Sequence, residues 1–362
     1  MAKIALITDT HWGARNDNVT LNAHMARFYE EIFFPYLDQN EIKHVIHLGD
    51  IVDRRKYINY MTARNLRNQF IDPLIDRGIE TDIIIGNHDT FFKNTNEVNS
   101  MNELYSHMRH PNIRWHSDPT EISVDGTKIM LMPWICSGNY EECMESIRGT
   151  EAQILMGHLE IAGFEMYRGS VNDHGFEGKL FDKFDMVMSG HFHHKSTRGN
   201  INYLGAPYEM TWSDYDDARG FHVFDTETRE LLFIENHLKL HHKIFYNDSG
   251  KTLKDIKNMN LDQYAGSYVK VVIQEKQNPY WFDLFIDHLE KVGVIDFKIV
   301  DDHLNLDIED ADDIISEAED TLTIIKKYAA SYLADKEPEV LSQLNTLLTD
   351  LYSEALSLEN EL

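Results

Sequence analysis

The chain has 362 residues, with 61 acidic side chains against 34 basic ones and a formal net charge of −27. That balance argues against a protein that simply coats nucleic acid, which should be basic, and no uninterrupted apolar run exceeds four residues, which leaves no membrane-spanning segment. Two cysteines, Cys136 and Cys143, exclude a disulfide scaffold and fit a reducing cytosol, as does a start at Met1-Ala2-Lys3 without a signal-peptide layout.

In chain order, Ile4-Ala5-Leu6-Ile7 reads as a buried strand. Residues 20–38 have helical spacing, with Met25, Phe28, Ile32 and Leu37 on one side. Val45-Ile46-His47-Leu48 is a strand and 60–77 a helix. Ile83–Ile85, Ile154–Met156 and Met186–Met188 are further short apolar runs closed by glycine. This alternation predicts an α/β domain with a largely parallel central sheet.

From about residue 240 the texture changes. Tyr268–Ile273 and Phe297–Val300 look like strands, and a helix enters at Pro279 and runs to Val292. The acidity concentrates here: residues 1–200 hold 20 basic and 28 acidic side chains, whereas 201–362 hold 14 and 33, and 301–320 has ten acids and no Lys or Arg. Histidine runs the other way, with 17 of 19 before residue 243. The first part reads as a site and the second as a solvated or partner-facing surface. A helical stripe of Ile314, Ile315, Ala318, Leu322, Ile325, Tyr328 and Tyr332 breaks at Asp335-Lys336-Glu337-Pro338. Leu341, Leu344, Leu348, Leu351, Ala355, Leu358 and Leu362 then follow the a/d spacing of a coiled coil. Such a helix either docks on its own domain or packs on a separate partner, and its terminal position after a proline break favours the partner.

Five polar clusters each follow an apolar run: Asp9-Thr10-His11, Gly49-Asp50-Ile51-Val52-Asp53-Arg54, Gly86-Asn87-His88-Asp89, Gly157-His158 and Gly190-His191-Phe192-His193. Ligand sites of open α/β sheets lie at the carboxyl ends of strands, so these loops should converge on one rim. Any one cluster alone is an ordinary turn or a satisfied core histidine; five in this context are a site. Carboxylate, amide and imidazole donors without thiolate suit manganese, iron or zinc rather than a structural zinc site. Four ligands saturate one ion, so eight ligand roles call for two ions with a bridge. Asp50 is the natural bridge, one metal on each oxygen. Two ions about 3.5–4 Å apart can hold the attacking and leaving oxygens of an in-line displacement at phosphorus.

This series resembles the calcineurin-like metallophosphoesterase superfamily over roughly residues 1–230. The resemblance implies a four-layer αββα sandwich. It implies that Asp9, His11, Asp50 and His193 hold one metal and that Asp50, Asn87, His158 and His191 hold the other. His88 is then no ligand; it meets the scissile phosphate or protonates the leaving oxygen. The Asp that Asp53 matches in related phosphatases pairs with that histidine, orienting it as a catalytic partner; many repair nucleases have histidine there, and this chain departs from them. Arg54 either binds a substrate phosphate or is a surface arginine beside Arg55 and Lys56. His24, His44, His47 and His194 match no role and are expected to be structural or exposed.

Three features resemble the DNA double-strand-break repair branch, the SbcD and meiotic recombination eleven nucleases. Residues 203–224 resemble the segment after the last metal motif there. The unit at 240–312 stands where those proteins carry a DNA-capping domain, and 313–362 where they carry helices that grip an SMC-like ABC ATPase. The compact length is most like that of T-even phage recombination nuclease subunits. The domains expected are therefore 1–239 (nuclease), 240–312 (capping) and 313–362 (ATPase-binding). The resemblance implies a Mn²⁺-dependent nuclease, with Mg²⁺ substituting in part, that combines 3′→5′ duplex exonuclease with single-strand endonuclease activity. It also implies a homodimer through the phosphoesterase domain, with 60–75 and 97–109 as the expected face, and a cytoplasmic location, the host's if phage-encoded. The alternative is a stand-alone phosphatase or small-molecule phosphodiesterase of the same fold. Gly250-Lys251-Thr252 imitates the end of a P-loop, but Phe245 stands where the first glycine is required, so the chain should bind no ATP itself.

Overall fold

The computed structural model describes residues 3–106, 110–301 and Leu347. The expected partner helices of 313–362, apart from Leu347, the acidic run 302–320 and residues 107–109 of the expected dimer face lie outside the described residues. The chain divides into two compact units: Met1–Met210 with Asp214–Leu240, and Thr211–Ser213 with the residues from His241 onward.

The first unit holds two six-stranded sheets. One runs in the order Leu231–Glu235, Gly220–Asp225, Lys3–Ile7, His44–His47, Glu80–Ile84, Ile113–His116; the last four strands are parallel. The other runs Ser196–Arg198, Ile201–Tyr203, Met186–Gly190, Ile154–His158, Thr127–Met132, Thr120–Val124. Successive strand residues face opposite sides. Ile4, Leu6, Ile46, Leu48 and Ile84 therefore meet Ile129, Leu131, Ile154, Met156 and Met188 in one buried layer between the sheets. Outside the first sheet, Phe28 and Phe33 of the helical run 19–39 pack on Phe221. Outside the second, Cys143, Met144 and Ile147 of helix Tyr140–Gly149 join Phe181 and Phe184 over Leu155 and Val187. Helix, sheet, sheet and helix are the four layers of the expected sandwich. The apolar alternation alone points to one central sheet and is corrected here: the runs at 4–7, 45–48 and 83–85 lie in one sheet, those at 154–156 and 186–188 in the other. A strand buried on both faces reads as a plain apolar run in either sheet.

The two long helical patterns each contain a widened turn. Phe34 N–H donates to the carbonyl of Tyr29 and Asp72 N–H to that of Arg67, five residues back in both cases. Pro35 and Pro73 follow directly, and a proline ring inside a helix collides with the carbonyl four residues before it. The wide turn relieves that collision without ending the helix. Among the described residues no helix is long and apolar enough to cross a membrane.

The second unit is a parallel three-stranded sheet, His241–Asn247, Tyr268–Glu275 and Asp296–Asp301. Helix Pro279–Val292 packs on it, burying Phe282, Phe285 and Leu289 against Val269, Val271 and Ile273. The helix stops at Gly293, whose φ of 87° suits glycine alone. Thr252 and Asp255 form a capping box on helix Leu253–Lys257, which explains the Gly-Lys-Thr run as a helix entry. Lys243, Lys270 and Lys298 stand in register across the three strands.

Candidate metal centre

All five polar loops lie at the carboxyl ends of their strands. The pairing of Lys3–Ile7 with His44–His47 continues past both strands: Asp9 N–H donates to Gly49 O, His11 N–H to Asp50 O, and Trp12 N–H to Ile51 O. This ladder holds Asp9, His11 and Asp50 at φ of 52°, 43° and 54°, conformations that non-glycine residues avoid and that cluster at functional sites. Two glycines are demanded by the same geometry. Gly49 has φ 98°, and a Cβ on Gly190 would strike the Thr8 hydroxyl.

The loops bring all seven expected ligands together. Ligand atoms of Asp9, His11 and His193 lie within 4.8 Å of one another, and so do those of Asp50, His158 and His191. His11 Nε2 is 3.0 Å from His193 Nε2 and 3.9 Å from Asp50 Oδ2. Asn87 Oδ1 is 2.9 Å from His158 Nε2 and 3.0 Å from His191 Nδ1. Asp50 Oδ2 is 3.2 Å from His158 Nε2, so one carboxylate faces both groups.

The donor set fits cations on an electrostatic argument. His158 Nδ1 lies 2.8 Å from Leu48 O, and a carbonyl only accepts, so Nδ1 carries the hydrogen. In the neutral ring Nε2 is then a lone pair aimed at two further acceptors, Asn87 Oδ1 and Asp50 Oδ2. Something positive must sit there. Without a metal it is a proton: burial alone would lower His158, but the Asp50 charge and hydrogen bond raise it to about 9. Burial would raise Asp50 in turn, yet His158 and His88 hold it well below the usual carboxylate range. Burial and the His158 charge hold His191 well below the ordinary histidine value, hence neutral and ready to ligate.

His88 Nδ1 is 2.6 Å from the Asp53 main-chain carbonyl, which fixes its hydrogen on Nδ1 and leaves Nε2 to exchange a proton. The hydrogen bond between Asp53 and His88 runs through the peptide carbonyl of Asp53, while its carboxylate lies 3.6 Å from His11 Nδ1 and within 4.8 Å of a His88 ring nitrogen. Arg54 is also re-read. Its guanidinium donates to Asp17 at 2.9 Å and Asn16 at 3.0 Å and lies over the Tyr57 ring, which favours an anchoring role over an open phosphate-binding one. His47 bonds Thr10 Oγ1 at 2.9 Å, accepts from Gly49 N–H and is pushed down to about 3 by burial; His44 bonds Asp82 and His194 bonds Asp217, all structural contacts.

Several supporting residues carry no expected role. Asp89, buried, accepts N–H bonds from Gly86, Asp50, Ile51 and Val52 at 2.8–3.1 Å and ties the second loop to the third. Trp134 packs against His191, ring centroids 5.0 Å apart. Arg219, buried, donates to the carbonyl of His193 and to Asp214 and Asp217. Only Asp89 carried a signal, as the fourth residue of Gly-Asn-His-Asp.

Residues 2–195 match the calcineurin-like phosphoesterase family profile. The chain is 33% identical to exonuclease subunit 1 of Enterobacteria phage T4 over 356 residues, 98% of this chain and 99% of that one. It is 25% identical to the SbcD component of the SbcCD nuclease of Staphylococcus epidermidis over 301 residues, 70% and 71% of the two chains. A solved archaeal phosphodiesterase overlaps 65% of this chain and 99% of its own, at 13% identity and a TM-score of 0.33.

Proposed function

The chain belongs to the calcineurin-like phosphoesterase family and is thus a phosphoester hydrolase, and from that premise we propose that it is a Mn²⁺-dependent DNA nuclease, with 3′→5′ duplex exonuclease and single-strand endonuclease activity. The observation that carries the reading is the pair of donor groups sharing Asp50. Asp9, His11, Asp50 and His193 would hold one divalent ion, and Asp50, Asn87, His158 and His191 the other. When bound, the two ions offset phosphate charge and acidify a water molecule. Asp50 and Asp9 hold that charge in place from a buried setting. His88 has Nδ1–H committed to the Asp53 carbonyl, so Nε2 is the nitrogen that can take up a second proton; from that imidazolium form it donates the proton to the departing sugar oxygen and returns to the neutral ring. Asp53 supports that histidine through its peptide. Arg54, anchored by Asp17, shapes the loop that follows.

The nuclease reading, rather than a phosphatase one, is supported by likeness along nearly the whole chain to a phage exonuclease subunit and along 70% of it to a component of a bacterial nuclease. Residues 1–239 form the nuclease domain, 240–312 the capping domain and 313–362 the helices that bind an SMC-like ABC ATPase. Exposed Tyr60 and Met61 support a homodimer through the 60–75 face. The milder charge of residues 1–200 suits DNA held with the help of metal ions and a more basic partner.

The test is Mn²⁺-dependent digestion of end-labelled duplex DNA, with a phosphomonoester run beside it. Release of labelled nucleotides supports the proposal; hydrolysis of the monoester alone selects the phosphatase alternative. A chain truncated at 335 should keep exonuclease activity on short duplexes and lose co-purification with the ATPase. Equal complex formation by the truncated chain would refute the assignment of those helices.

A further inference from the structure

We infer that a cavity beside the catalytic loops seats one unpaired nucleobase of the substrate, stacked on Phe91 and Tyr57. The inference rests on the nuclease reading and adds to it what the enzyme selects. The cavity measures about 130 Å³ and is lined by Val52, Arg54, Arg55, Tyr57, Phe91 and Leu104, among others. That is well below the size of a small-molecule pocket and suits one planar ring. Tyr57 is 63% exposed and Phe91 38%, and Phe92 stands edge-on to Phe91 with ring centroids 4.8 Å apart. Such exposed rings leave apolar π-surface in water, surface that a stacked base would cover.

Two features commit the cavity to a nucleotide rather than to an apolar peptide. First, its wall carries the cations Arg55 and Lys56 against Glu103, Arg54 beside them being tied to Asp17. A small, largely apolar cavity edged by cations matches a base joined to phosphates. Second, both walls are tied to the catalytic histidine. Asp53, whose carbonyl orients His88, lies between lining residues Val52 and Arg54. Phe91 follows His88 by three residues, and Arg55 Nη1 reaches Thr90 Oγ1 at 3.4 Å. Phe91 N–H donates to Val98 O at 2.9 Å, so the aromatic loop is closed before any ligand arrives. A base in this slot positions its own strand at the metal centre, which a fully paired base cannot do without leaving its stack.

The experiment compares Mn²⁺-dependent cleavage of a fluorescent oligothymidylate with that of the same oligomer carrying three adjacent abasic sites, using the full chain. The expected result for the native protein is a KM about 5- to 150-fold higher on the abasic oligomer. Phe91→Ala should erase that ratio by raising KM on the ordinary oligomer alone, and Phe91→Trp should restore it. A ratio near one in the native protein, equal losses on both oligomers, or a change in oligomeric state on Phe91→Ala would each overturn the inference. Hydrolysis of bis(p-nitrophenyl) phosphate is run alongside. Activity there with no cleavage of either oligomer sinks the nuclease reading itself; cleavage of both without discrimination sinks only the base slot.

Discussion

Asp82 is the central residue of strand Glu80–Ile84, and Asp50 lies just past the carboxyl end of the neighbouring strand His44–His47; both are buried aspartates ringed by histidine. Around Asp82 every neighbour is a donor: His44 Nε2 at 2.7 Å, His116 Nε2 at 2.8 Å, and Arg114 through Nε at 2.8 Å and Nη2 at 2.9 Å. Burial would raise this carboxyl, but those hydrogen bonds hold it well below the usual carboxylate range. Around Asp50, Oδ1 accepts from His88 N–H at 2.7 Å, but Oδ2 faces His158 Nε2, and that balance closes only with a proton or a cation. The same residue types thus make a structural knot within the strands and a binding site just past their carboxyl ends. What separates them is whether the local charges are already compensated.

Removing Asp50 should break this comparison most. Asp50→Asn takes away the shared carboxylate, and cleavage of any phosphodiester should fall by about 10³-fold or more, with calorimetric titration showing loss of Mn²⁺ binding. His88→Ala should lower kcat by about 10²–10⁴-fold while Mn²⁺ and DNA still bind; full Mn²⁺-dependent cleavage by the pure variant would remove His88 from the mechanism.

At Asp82 the effect should be on stability. Asp82→Asn should cost about 3 kcal/mol at neutral pH, the low end for a broken buried pair because Arg114 is partly exposed, with activity per folded molecule retained. The sign with pH follows from the depressed carboxyl: its contribution is full above the unfolded value of about 3.9 and is lost as pH falls below it. Urea midpoints of the native chain and Asp82→Asn should therefore converge at low pH. A constant gap would argue that shape, not charge, holds the knot.

A subtler difference is in protons. Because His158 stands at about 9 without metal, Mn²⁺ binding near pH 7.5 should release about one proton, read by calorimetry in buffers of different ionisation enthalpy. Raising the pH through 9 should abolish the release. The smallest effect is expected for Arg54→Ala: loss of a half-buried ion pair worth about 1 kcal/mol, seen as a modest drop in melting temperature with little change in KM. A large KM increase would return Arg54 to phosphate binding.

Much of the site was legible because each motif directly follows its own apolar run, so strand and loop are read together. Asp9, His11, Asn87, His158 and His191 needed no long-range information beyond the rule that strand ends share a rim. That Asp53 reaches His88 through its peptide carbonyl was not legible, because every residue carries one. Arg219 and Trp134 were missed because their partners, His193 and His191, lie 26 and 57 residues away and nothing local marks them. The splitting of five similar apolar runs between two sheets was equally invisible, since both sheets bury both faces of their central strands.

By itself the sequence determined the short apolar strands, the ligand types offered after each and the uneven spread of charge, because these depend on residue character and near-neighbour spacing. Tertiary structure alone decided which polar groups are compensated. His11 meets His193 across 182 residues and Asn87 meets His191 across 104, while Asp82 finds its donors 32 to 38 residues away. A cation site is a local deficit of positive charge among buried acceptors, and that deficit exists only once distant segments have been brought within a few ångströms.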